Sequence, residues 1–155
     1  MNYKNKKIIV FDMDETIGSF QYLSFYYYIL LKIKNNFNIK RNLFHIFLDL
    51  FPNIFRNNIF NIFNIIKKYK KKKKFDVVIY TNNNGSRKYT LDIIDYIDKK
   101  LNYKLFDKII TKFGTNKIKR EGYYKTYNDF LKLYKNKNIK ILFFDDRNHI
   151  AMNNP

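Results

Sequence analysis

A chain of 155 residues with 46% hydrophobic content can bury one core, which predicts a single domain over residues 1–155. The absence of cysteine excludes a disulfide framework, a thiolate zinc site and cysteine nucleophile chemistry. The formal charge of +18 invites a nucleic-acid partner, because clustered cations release counterions from a phosphate backbone. The chain is also swollen with Lys, Asn, Ile, Tyr and Phe, whose codons are rich in A and T, and holds only 4 Gly and 2 Pro. An AT-rich genome accounts for the lysine excess, so nucleic acid is compatible with the charge and not required by it.

The basic start, Met1 to Lys7, leads into an apolar run too short for a secretory signal. Phe20 to Ile33, the most apolar segment, falls short of the ~20 residues of a membrane span. An intracellular protein with no membrane partner is expected, and nothing in the sequence sets an oligomeric state.

Lys7 to Phe11 (KIIVF), Phe75 to Tyr80 (FDVVIY) and Ile139 to Phe144 (IKILFF) are apolar runs that end abruptly in polar residues. Continuous apolar strands of this kind fit a parallel sheet covered on both faces. Residues 18–53 hold two apolar stretches, Phe25 to Leu31 and Leu43 to Phe51, and predict a small helical lid inserted after the first strand. Ile54 to Tyr69 has apolar residues at 55, 59, 62, 63, 66 and 69, the spacing of a buried helical face. Lysines 67, 68 and 70 to 74 close it as a solvated, dipole-favoured helix end. Tyr89 to Leu101 predicts a helix with Leu91, Ile94 and Ile97 or Tyr96 inward. Leu105 to Thr111 predicts a short strand, and Lys125 to Tyr134 a helix with Tyr127, Phe130, Leu131 and Tyr134 on one side. His45 is expected in the core or lid, and His149 in a loop. Gly114 and Gly122 form no phosphate-cradling signature.

Strand and helix alternate, which predicts an open, mostly parallel α/β sheet with its ligand at the carboxyl ends of the strands. The conspicuous polar groups stand at those ends: Asp12 and Asp14, then Thr81 and Asn82, then Asp145 and Asp146. Asp12 can attack phosphorus and divide one hard hydrolysis into two easier steps. Asp14 can protonate the departing oxygen and later accept a proton from water, which requires a raised pKa. Thr81 and Asn82 are candidate phosphate-binding donors. Lys125 is a candidate to neutralise the phosphate and position Asp12. Asp145 and Asp146 can supply a hard cation, and magnesium suits such an all-oxygen site.

At these residues the chain resembles the haloacid-dehalogenase superfamily of phosphatases. Ile8-Ile9-Val10-Phe11-Asp12-Met13-Asp14-Glu15-Thr16 is similar to its first motif, and Val77 to Thr81 to its second. Lys125 stands for the third, and Phe143-Phe144-Asp145-Asp146 for the fourth. The resemblance implies a Rossmann-like fold, Asp12 as nucleophile and Asp14 as acid/base. It also implies Mg²⁺ held by Asp12, the Asp14 backbone carbonyl and the final acidic pair. Asp-x-Asp-Glu-Thr, with the stretch from Leu105 through Lys125 to Tyr127, looks like the branch acting on the carboxyl-terminal domain of RNA polymerase II and related phosphoproteins. The chain departs from that branch where Asp145-Asp146 replaces Asp-Asn, and where Asn82-Asn83-Asn84 replaces small residues. The expected function is a magnesium-dependent phosphomonoester hydrolase on phosphoserine or phosphothreonine proteins. The alternatives are a phosphatase for nucleic-acid ends or nucleotides, and a non-catalytic binding protein of the same fold.

Overall fold

The apolar runs become four parallel strands: β1 (Lys6–Phe11), β2 (Asp76–Tyr80), β3 (Lys108–Ile110) and β4 (Ile139–Phe144), in the order β3-β2-β1-β4. This computed structural model describes residues 6–33, 37–72, 75–115, 117–120, 122–135 and 138–152. The chain steps outward from β1 to β3, then returns to the far side of β1 for β4. The direction of winding therefore reverses between β1 and β4, and their carboxyl ends flank the crevice where open α/β sheets bind ligands. The strand expected over 105–111 contracts to three residues, because Leu105 and Phe106 are buried in the core instead.

Successive strand residues face opposite sides. Ile9, Phe11, Val77 and Ile79 enter one core with residues of helices α1 (Leu23–Ile33), α2 (Phe37–Leu50), α3 (Ile59–Lys70) and α4 (Arg87–Leu101). Ile8, Val10, Val78 and Tyr80 enter the other, with Tyr127 and Phe130 of α5 (Tyr127–Tyr134). The expected cover on both faces fails at β4. Leu142 and Phe144 are 55% and 42% exposed, because β4 is a sheet edge and the four-helix layer packs on β1 and β2.

Both helices expected within 18–53 form. They lie against α4, with the rings of Tyr27 and Phe44 at 5.2 and 5.8 Å from Tyr89. Arg41 pairs with Asp95 at 2.7 Å, and the buried His45 sits 3.2 Å from the Asp92 carbonyl, a core histidine as expected.

The helix expected from Ile54 starts at Ile59, because Pro52–Ile54 makes a short 3₁₀ turn. Ile62 and Tyr69 are exposed; α3 meets the core along Ile59, Phe63 and Ile66. On α4 Leu91 is also half-exposed, since Tyr89, Ile93 and Ile97 form the buried line and Leu91 falls between its turns. Ile94 and Tyr96 are buried as expected.

The lysine run does more than end a helix. Lys67 Nζ donates to the Leu101 carbonyl at 2.5 Å and so caps the carboxyl end of α4, while Lys70 Nζ donates to the Leu105 carbonyl at 2.6 Å on the chain that follows. Lysines 73 and 74 lie outside the described residues. Among the described residues, no helix is long and apolar enough to cross a membrane.

Candidate active site

The ladder between β1 and β4 runs one bond past the strands: the Asp12 N–H donates to the Phe144 carbonyl at 2.9 Å. That bond sets the Asp12 and Asp145 side chains next to each other. After Asp12 the chain turns back, with the Ile17 and Gly18 N–H groups on the Met13 carbonyl and Glu15 at φ 57°. Met13 and Ile17 are fully buried and anchor the turn. Thr16 stitches it to the last strand, its Oγ1 accepting from the Asp146 N–H at 3.0 Å.

Lys125 is only 2% exposed, and its Nζ lies between two carboxylates, 2.6 Å from Asp12 Oδ1 and 2.5 Å from Asp145 Oδ2. Burial pushes the Asp12 pKa up, and the Lys125 ammonium pulls it back towards the ionised form. The other Asp145 oxygen accepts from the Arg147 N–H at 2.9 Å, and His149 Nε2 stands 3.2 Å from Oδ2. His149 is therefore a loop residue, as expected, whose ring reaches a site carboxylate.

Lys125 precedes the helix predicted to contain it. Thr126 caps α5, its Oγ1 accepting from the Asp129 N–H, which leaves Lys125 on the incoming chain. Arg120 straps that chain down. Its guanidinium donates to Asn82 Oδ1 at 2.5 Å and to the Tyr123 and Tyr124 carbonyls at 3.1 and 2.9 Å, and lies 4.7 Å over the Tyr80 ring. The Tyr80 hydroxyl bonds to the Asp129 carboxylate and accepts from the Thr126 N–H. These planar contacts suit arginine rather than lysine.

Asp14 opens on the same cleft as Asp12, and Asn83 Nδ2 lies 2.8 Å from each of its oxygens. Burial raises its pKa to about 6; Asn83 opposes the shift, and Asp12 and Glu15 add to it. A carboxyl that binds its proton more tightly when folded stabilises the fold below its unfolded pKa. That stability is lost as pH rises through the folded value. In metal-free protein, the thermal midpoint of wild type relative to Asp14→Asn should fall from about pH 4 to about pH 6 and then level off. A pH-independent difference between the two melting curves would contradict the assigned burial.

Thr81 is 1% exposed, and its Oγ1 accepts from the Asn83 N–H at 3.0 Å. The side-chain amide of Asn82 is engaged at both ends, receiving Arg120 and donating to the Tyr123 carbonyl at 2.9 Å. The cleft itself holds about 220 Å³ and is lined by Asp12, Asp14, Asn82, Lys125, Asp145 and Asp146 among others, but not by Thr81. Among the described residues of segment 18–53, Gln21 is the one that lines it. A larger hollow of about 610 Å³ follows the outer edge of β4 and meets the cleft at Asp145, Arg147 and His149. Among the described residues Asp145 is its only carboxylate, so the converging chemistry belongs to the smaller space.

Asp12, Asp145 and Asp146 each offer an oxygen within 4.8 Å of the others. Three carboxylates on rigid strand ends fit a hard divalent cation. The Asp14 carboxylate stands outside this group. Sequence reasoning missed Asn83, Arg120 and the stitch made by Thr16. It assigned His149 no contact with the site, although a spacing of four residues from Asp145 was a usable signal. No protein-family model matches the chain, and no curated protein matches it.

Proposed function

We propose that the protein is a magnesium-dependent phosphatase of the haloacid-dehalogenase type, acting through a phosphoryl group carried on Asp12. The observation that carries this reading is Lys125 clamped between Asp12 and Asp145 at the switch point, with Asp14 facing the same cleft. In the first step an Asp12 oxygen bonds to phosphorus as the ester bond breaks, and Asp14 gives its proton to the departing oxygen. In the second step Asp14 takes a proton from a water as that water attacks phosphorus and frees Asp12. Lys125 neutralises and orients the nucleophile through both steps. Bound to Asp12, Asp145 and Asp146, magnesium would offset the charge of the phosphoryl oxygens. Residues 18–53 would serve as the inserted cap of this fold, meeting the cleft rim at Gln21 in the turn before α1.

The substrate proposed is a phosphoserine or phosphothreonine in a protein, on the resemblance of Asp12 to Thr16 to that branch. The test is turnover of an aryl phosphate, a phosphopeptide, a 3′-phosphorylated oligonucleotide and a nucleotide, with magnesium and after chelation. Activity that requires the metal and favours the phosphopeptide is expected. Preference for the oligonucleotide or nucleotide would replace the protein substrate; no turnover of any ester would favour a binding protein and end the enzymatic reading.

A further inference from the structure

The turn after β2 carries an asparagine for which the proposed chemistry has no stated use. Asn83 is 5% exposed, yet both ends of its amide are committed. Its Oδ1 accepts from the Gly85 N–H at 2.6 Å, a group that can only donate. The NH₂ end must therefore face Asp14, where the nitrogen is equidistant from both carboxylate oxygens, 2.8 Å from each. The Asn83 backbone is fixed as well, through its N–H on Thr81 Oγ1.

The support continues outward. A Cβ built on Gly85 would lie 2.3 Å from Tyr89 Cδ1 and 2.7 Å from Asn83 Oδ1, so a side chain there would collide with the amide or its neighbour. Tyr89 cannot easily yield, since it is fully buried and its hydroxyl donates to the Phe20 carbonyl at 2.6 Å. A carboxylate on a short side chain otherwise moves among the staggered wells of its first torsion. Two contacts to one anchored nitrogen hold the Asp14 carboxyl in a single well, at the cleft.

We propose that Asn83 is a positioning residue: it holds the Asp14 carboxyl in place at the cleft so that its proton lies within reach of the leaving oxygen. The inference rests on the phosphatase reading, and it assigns a role to a position where the resembling branch carries small residues. Loss of that hold should damage the step that needs a proton delivered. It should spare expulsion of a leaving group that departs readily as an anion.

The experiment compares kcat/KM for an alkyl phosphate and for 4-nitrophenyl phosphate in wild type, Asn83→Ala, Asp14→Asn and the double variant. Gly85→Ala serves as a second route to displacing the amide, and thermal unfolding checks each fold. For Asn83→Ala, kcat/KM on the alkyl ester should drop about tenfold or more, with the nitrophenyl ester changed by less than about threefold. A nitrophenolate burst should accompany it, because Asp14 also serves the second step. In the Asp14→Asn background, removing Asn83 should add no further loss. Equal loss on both esters, no loss, or additive losses would overturn the positioning role while leaving the phosphatase reading intact. No turnover of either ester by wild type would overturn both.

Discussion

Asp12→Asn is expected to lower turnover of an aryl phosphate by at least about 10³-fold while leaving the fold in place. The amide has the shape of the carboxylate but cannot form the bond to phosphorus at a useful rate. The backbone role of Asp12, its N–H on the Phe144 carbonyl, is untouched by the change. Lys125 keeps its other partner, Asp145, at 2.5 Å, so no buried ammonium is stranded. Thermal unfolding close to wild type, beside lost turnover, is the expected pair of results. Loss of both together would make Asp12 a structural residue, and retention of turnover would remove it as the nucleophile.

Lys125→Ala, in contrast, should unsettle the fold. Its ammonium is the buried cation between Asp12 and Asp145, and its removal leaves the two carboxylates facing each other without it. Removing one partner of a buried ion pair costs about 3 kcal/mol or more, because the remaining charge stays desolvated. Magnesium should restore part of that loss in Lys125→Ala, since a cation among Asp12, Asp145 and Asp146 screens the same repulsion. Urea unfolding with and without magnesium measures both effects. A variant as stable as wild type in metal-free buffer would show that the carboxylates are not held together by this lysine.

The parts of the structure legible in the sequence were those written locally. KIIVF, FDVVIY and IKILFF announce strands by their run of apolar residues, and polar residues at their ends mark the crevice before any fold is known. Ile139–Phe144 is a strand over the expected bounds. The exposed Leu142 and Phe144 were not legible, because an edge strand and a central strand share the same composition. Helix faces slipped where two apolar lines compete, as with Leu91 against Tyr89 and Ile93.

The site divided in the same way. Asp12, Asp14, Asp145 and Asp146 could be read from their strand contexts, and Lys125 from its place before the last strand. Asn83 could not, since its partner Asp14 is 69 residues away, and Thr16 meets Asp146 across 130 residues. Asn82, placed by sequence as a phosphate donor, has its side-chain amide spent on Arg120 and Tyr123, a contact that only the folded loop creates. Lys67 and Lys70 look like members of a charge run until the carbonyls at Leu101 and Leu105 are brought beneath them.

In the proposed reaction Asp12 accepts a phosphoryl group beside a magnesium ion. The most direct test of this step is the ¹⁹F spectrum of beryllium fluoride added with magnesium to wild type and to Asp12→Asn. Resonances of a bound, tetrahedral fluoroberyllate that need magnesium, appear with wild type and vanish with the variant are predicted. Bound resonances of equal intensity in both proteins, or none in a folded wild type, would contradict it.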